Sequence, residues 1–205
     1  MRNVKSQSGF SLVELLVATV VIAVGIVGTM GMQSQSVTQS FESLQRTRAT
    51  YLASDMLERI RANKSEIINY IGTNYGDTST TFSPEDCISN AGEAEDRCNT
   101  GQLAVFDKYQ WHNLLLGADV TNHGNNTSGL ISPRGCVYLD RATGVSSLDL
   151  NAGQVTVVVT WGAKEGMQDG LSGKSINVQG TAFDISGCGT ASNKRRHVVV
   201  SSYVY

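Results

Sequence analysis

A single carboxylate, Glu14, lies inside an apolar run that extends from Phe10 to Met32 and carries no charge from Leu15 onward. An ionised group in a lipid-compatible segment costs about 2–3 kcal/mol on insertion scales, so its presence there implies a task. The chemistry open to it is pairing with a cation at the same depth. The other candidates for chemistry are four cysteines, Cys87, Cys98, Cys136 and Cys188, and three histidines, His112, His123 and His197. The cysteine spacings fit no CxxC or zinc pattern. The histidines are isolated from one another and read as surface or core residues. No HExxH, GxSxG, phosphate-cradling loop or dinucleotide-binding glycine pattern occurs. The residues thus argue for no enzyme, no metal site and no cofactor.

Ahead of the apolar run stands a short polar leader, Met1 to Gly9, with Arg2 and Lys5. A secretory signal starts similarly but closes a shorter apolar core with a small-residue cleavage site. Here the run is long enough to span a bilayer, and Gly25-Ile26-Val27-Gly28 is a poor cleavage site. Arg2 and Lys5 belong on the cytoplasmic side by the positive-inside rule. An uncleaved signal anchor would fit these facts, and Ser11-x-x-Glu14 alone would fit an ordinary capping box. Neither explains the full set: a leader ending in glycine, an aromatic next, and an acid at the fifth place counted from that aromatic.

That set, Gly9 | Phe10-Ser11-Leu12-Val13-Glu14-Leu15-Leu16-Val17-Ala18, resembles the class III signal of type IV prepilins and pseudopilins. The resemblance implies cleavage between Gly9 and Phe10 by a prepilin peptidase, N-methylation of the new Phe10 amine, and retention of the apolar run as a polymerisation helix. It also supplies the cation for Glu14. The Phe10 amine of one subunit can face the Glu14 carboxylate of a neighbour, and a misplaced subunit would leave both charges unpaired. Glu14 is then a register device for assembly.

Past the membrane run the helical pattern continues. Leu44, Leu52, Met56, Ile60 and Ile67 recur at helical spacing, and Glu42/Arg46 and Asp55/Arg59 are favourable pairs four apart. No proline precedes Pro84, so a helix from Ser11 to about Asn63 is expected, amphipathic in its second half. Gly25, Gly28 and Gly31 mark either a place that bends during assembly or one that allows close helix packing. Gly72 to Ser83 reads as a surface loop. A second helix is expected over Gln102–Leu116, then strands over Gly135–Leu139, Gln154–Trp161, Ser175–Ile185 and His197–Tyr205. Val155 to Trp161 is β-branched and bounded by glycines, a strong strand signal.

The stretches Gln45-Arg46-Thr47 and Leu52 to Asn63 look like the PilV group of minor pilins, the type IV pilus modification proteins. Cys98, Leu103-Ala104, Asp107, Trp111 and the Val159-Thr160-Trp161 strand end are similar to that group's head pattern. The Asp55–Arg61 face is expected to contact the head or neighbouring subunits. An exported head meets an oxidising compartment, so the cysteines should form disulfides. Of three possible pairings, Cys87–Cys98 with Cys136–Cys188 is favoured: the first closes a local loop, and the second ties a strand to the C-terminal region. Lys194-Arg195-Arg196 reads as a solvated loop, and the slightly acidic net charge of −2 does not suggest nucleic-acid binding.

The expected architecture is α+β and type IV pilin-like, a long N-terminal helix packed on a small antiparallel sheet. Its segments are a leader (1–9), a membrane and polymerisation helix (10–32), an amphipathic continuation (33–71) and a disulfide-stabilised head (72–205). The resemblance implies a minor pilin that helps prime pilus assembly and supports adhesion and twitching motility. Its implied partners are the prepilin peptidase, other minor pilins and the major pilin, the inner-membrane assembly platform, a tip adhesin and the lipid bilayer. The chain would sit in the bacterial inner membrane with a periplasmic head, then in the pilus at the cell surface. Two other readings share these features: a minor pseudopilin of a type II secretion system, and a periplasmic binding or enzymatic domain on an uncleaved anchor.

Overall fold

The computed structural model describes residues 9–84, 87, 98–118, 120–123, 125–126, 129–141, 152–178 and 181–205. The leader through residue 8 lies outside them. The proline-free start of the chain forms one α-helix, α1 (Leu12–Ala62, 51 residues). Contacts divide the chain into two units, one ending at Phe41 and the other running from Glu42 to Tyr205.

In the second unit α1 buries Gln45, Ala49, Leu52, Ala53, Met56, Leu57 and Ile60, a stripe with the 3.6-residue period. Leu44, expected in that stripe, is exposed, and the small residues Ala49 and Ala53 take its place in the contact. The sheet beneath, not side-chain size, selects the face. At Asn63 the backbone leaves helical geometry (φ −122°, ψ 49°), and the chain continues as a 3-10 helix over Lys64–Tyr70. The α-helix therefore ends at Ala62, and only this tighter helix carries the chain toward residue 71.

The stretch expected as a loop after residue 71 begins with a short strand, β1 (Gly72–Tyr75). It escapes sequence patterning because it is four residues long and pairs with a distant partner through an irregular register. The second helix, α2 (Thr100–Leu116), starts two residues before the expected position. Asn99 and Gln102 form a reciprocal capping box there, and each side chain accepts the other's backbone N–H at 2.9 Å. Gly117 closes α2 in the left-handed region, at φ 70°.

Two short strands, β2 (Thr121–Asn122) and β3 (Asn125–Asn126), pair with each other. The main sheet is completed by β4 (Arg134–Arg141), β5 (Gly153–Gly162) and β8 (Arg195–Val204). Its order is β1-β4-β5-β8, antiparallel throughout. The expected strand over Ser175–Ile185 is instead a hairpin of β6 (Ser175–Val178) and β7 (Thr181–Asp184).

Strand β5 is buried on both faces, which explains its unbroken β-branched run. Val155, Val157 and Val159 join Val137 against α1, α2 and the 3-10 helix. Val158, on the opposite face, packs with Leu171, Ile185 and the Cys136–Cys188 pair. That disulfide (Cα–Cα 6.0 Å) and Cys87–Cys98 (Cα–Cα 5.5 Å) are the two pairings favoured above.

The first core layer depends on a glycine. Trp111 of α2 lies flat over Gly135 of β4, where any Cβ would overlap its ring. The Trp111 indole N–H donates to the Leu52 carbonyl of α1 at 2.8 Å, so one side chain links helix, helix and strand.

Candidate functional site

The N-terminal motif sits on an uncovered helix. Gly9 and Phe10 precede α1, and Phe10 is 85 % exposed. The first helical bond runs from the Leu15 N–H to the Ser11 carbonyl at 3.2 Å. Glu14 lies in the first turn, where a carboxylate complements the helix dipole. It is exposed and lies four residues along the chain from Phe10, which precedes the helix.

From Leu12 to Met32 every large apolar side chain points out, from Leu12 at 81 % to Ile26 at 49 % exposure. This surface is apolar around the whole circumference, unlike the one-sided stripe of a globular-protein helix. The segment is long and apolar enough to cross a membrane, with none of it buried within the chain. Its two threonines donate inward, Thr19 to the Leu16 carbonyl and Thr29 to the Ile26 carbonyl, each at 2.8 Å. Their hydroxyls therefore need no water. Gly25, Gly28 and Gly31 stay helical, and a Cβ at any of them would meet nothing within 4 Å.

The charged band farther along α1 turns to the head. Arg59 donates from Nε to Asp55 at 2.9 Å and from Nη1 to Asp107 at 2.9 Å and Gln110 at 2.8 Å, both on α2. Asp107 accepts the Tyr70 hydroxyl at 2.6 Å, and Asn63 donates to Tyr70 Oη at 3.1 Å and to the Thr100 carbonyl at 2.8 Å. Burial works against the Arg59 charge, but Asp55 and Asp107 outweigh it and raise its pKa. Burial, followed by the bond to Asp107, raises that of Tyr70. Arg61 pairs with Glu58 and reaches Ser202 of β8. Glu42, expected beside Arg46, instead accepts the Lys164 N–H at 2.8 Å. The network fixes α2 and the 3-10 helix to the end of α1. Composition did not show it, because its acceptor Asp107 lies 48 residues from Arg59.

The basic cluster before β8 is not uniformly solvated. Arg195 is 4 % exposed and donates to Asp169 at 2.9 Å and to the carbonyls of Ser186, Cys188 and Gly189 at 2.8–3.1 Å. It ties the loop that carries Cys188 to the sheet. His112 is also buried; its Nδ1 accepts the Gly76 N–H at 3.1 Å, and burial lowers its pKa. Among the described residues no group of three or more His, Cys, Asp or Glu is placed to hold a metal ion.

A long N-terminal apolar helix, continued against a small antiparallel sheet, defines the type IV pilin fold. Two family models match the first half of the chain: Prokaryotic N-terminal methylation motif over residues 4–30, and Type IV pilin Tt1218 over residues 31–109, which takes in the rest of α1, β1 and the first part of α2 but none of β4, β5 and β8. Over these residues the chain is similar to type IV pilins with an N-terminal methylation motif, and neither match names the PilV group. The motif implies processing by a prepilin peptidase and assembly with other pilins. No curated protein and no solved structure matches the chain.

Proposed function

We propose that this protein is a minor pilin of the PilV kind, cut between Gly9 and Phe10, methylated on the Phe10 amine, and built into a type IV pilus. The observation that carries the reading is the helix segment Phe10–Met32, apolar on all sides, uncovered by its own chain, and interrupted only by Glu14. Lipid can cover such a surface in the inner membrane, and the helices of other pilins can cover it in a filament.

Removal of the leader leaves an ammonium on Phe10. With Glu14 of an adjoining subunit beside it, each charge offsets the other's burial cost; one turn out of step, both remain unpaired and the contact fails. The head takes no part in this pairing. Its role is presentation: two disulfides and the Arg59 network brace the head, the network by joining α2 and the 3-10 helix to α1. Minor pilins of this kind help prime assembly and support adhesion and twitching motility, with the major pilin, other minor pilins, the assembly platform and a tip adhesin as partners.

Mass spectrometry of the protein from its native host tests the reading. A mature chain beginning at N-methylated Phe10, recovered from sheared pili, is the expected result. A chain that retains Met1–Gly9 would overturn it, and recovery only with a secretion apparatus would transfer the protein to the pseudopilins.

A further inference from the structure

The end of the head at which α1 enters is a bonded platform. Glu42 accepts the Lys164 N–H at 2.8 Å, and Gln45 accepts the Ile131 N–H at 3.4 Å. The loop after β5 is joined to the segment before β8 by Ala163 N–H to Lys194 O at 2.8 Å and Met167 N–H to Asn193 O at 2.7 Å. Arg196 adds a bond from Nη2 to the Glu165 carbonyl at 3.0 Å. These bonds hold two loops against the first turns of the head's helix.

The platform is basic in a chain whose net charge is −2. Arg46, Lys164, Lys194 and Arg196 stand against Glu42 and Glu165, while Arg195 and Asp169 balance each other. Of these cations Arg46 acts on His197 of β8, whose pKa is lowered by burial first and then by Arg195, Lys174 and Arg46, against Asp169, which raises it. Two apolar side chains lie among the charges, Met167 at 68 % and Ile131 at 41 % exposure. Cations interleaved with uncovered apolar groups suit the boundary between headgroups and acyl chains. Glu42, on which the platform is built, is ten residues past Met32, the last residue of the apolar run. The platform thus follows the apolar run closely along the chain.

We propose that this platform docks on an anionic phospholipid surface, with Arg46, Lys164, Lys194 and Arg196 meeting lipid phosphates and Met167 entering the interface. Docking holds the head against the membrane until the subunit is drawn into a filament. The inference rests on the reading of Phe10–Met32 as a membrane anchor.

The test uses the full chain in lipid nanodiscs, one set of phosphatidylcholine alone and one enriched in phosphatidylglycerol, with amide hydrogen exchange as the readout. Exchange over residues 162–168 and 190–196 should slow several-fold in the anionic discs only, and high salt should abolish the protection. An Arg46→Glu/Lys194→Glu variant should lose the protection and keep its thermal midpoint, since both residues are exposed. Met167→Asp should lose part of it. Equal exchange in both discs, or equal protection in both, overturns the proposal. So does protection that added duplex DNA produces and anionic lipid does not. A chain that enters neither disc overturns the anchor reading, and this inference with it.

Discussion

The two stretches of α1 are one helix by hydrogen bonding and opposites by environment. Up to Met32 the helix exposes its large apolar side chains, whereas from Gln45 to Ile60 it buries seven residues. The first stretch is apolar on every side; the second carries a narrow stripe and uses its charges on α2, β8 and a loop. A helix whose contacts are complete within the chain supports the head. One with none needs a partner from outside, either lipid or another subunit.

Substitutions along α1 and beneath it can break that contrast. The largest stability effect should come from the far face of the sheet. Removing Cys136–Cys188 as a Cys136→Ser/Cys188→Ser pair should destabilise the head by about 4 kcal/mol, from the loop it closes, and the urea midpoint reports the loss. The helix contrast comes next. Ile60→Ala, fully buried, should cost about 3 kcal/mol. Val24→Ala should leave the same unfolding curve in place, because that side chain is 69 % exposed. Equal effects from the two would erase the distinction between the halves.

Smaller effects sharpen the account of the charged band. Arg59→Met leaves Asp107 without its cation and should cost about 2 kcal/mol, discounted for partial exposure. A double-mutant cycle with Asp107→Asn should show coupling, whereas Arg46→Met should show none. The least effect is set by pH. His112 has a lowered pKa in the folded head, so unfolding takes up a proton below its ordinary value near 6.5. Its contribution is present above that value and declines as pH falls through it. His112→Asn, which offers an acceptor to Gly76 without titrating, should flatten the drop in urea midpoint between about pH 7.5 and 5.

Much of this was legible in the sequence, for physical reasons. The apolar run is unambiguous because lipid demands an unbroken stretch, and β5 because burial on both faces demands a β-branched one. The second helix was legible from its apolar residues, but its start was placed two residues late because the Asn99–Gln102 capping box went unread. What the sequence hid depends on distant partners. Strand β1 exists through β4, the stripe on α1 runs through Ala49 and Ala53 because of the sheet, and Arg195 is buried because three carbonyls and Asp169 converge on it. Gly135 reads only as the start of a strand, and the need for a glycine there appears once Trp111 is placed against it. For the N-terminal motif the position of Glu14 was plain, but the partner proposed for it belongs to another molecule, which one chain's sequence does not display.

That partner is best tested by following Glu14→Ala through maturation and assembly in one experiment: intact mass for leader removal, and quantification of the subunit in sheared pili. The account expects leader removal at the wild-type level and a loss of incorporation of at least about tenfold, the equivalent of one charge pair of about 1.4 kcal/mol or more. Incorporation at the wild-type level would contradict it.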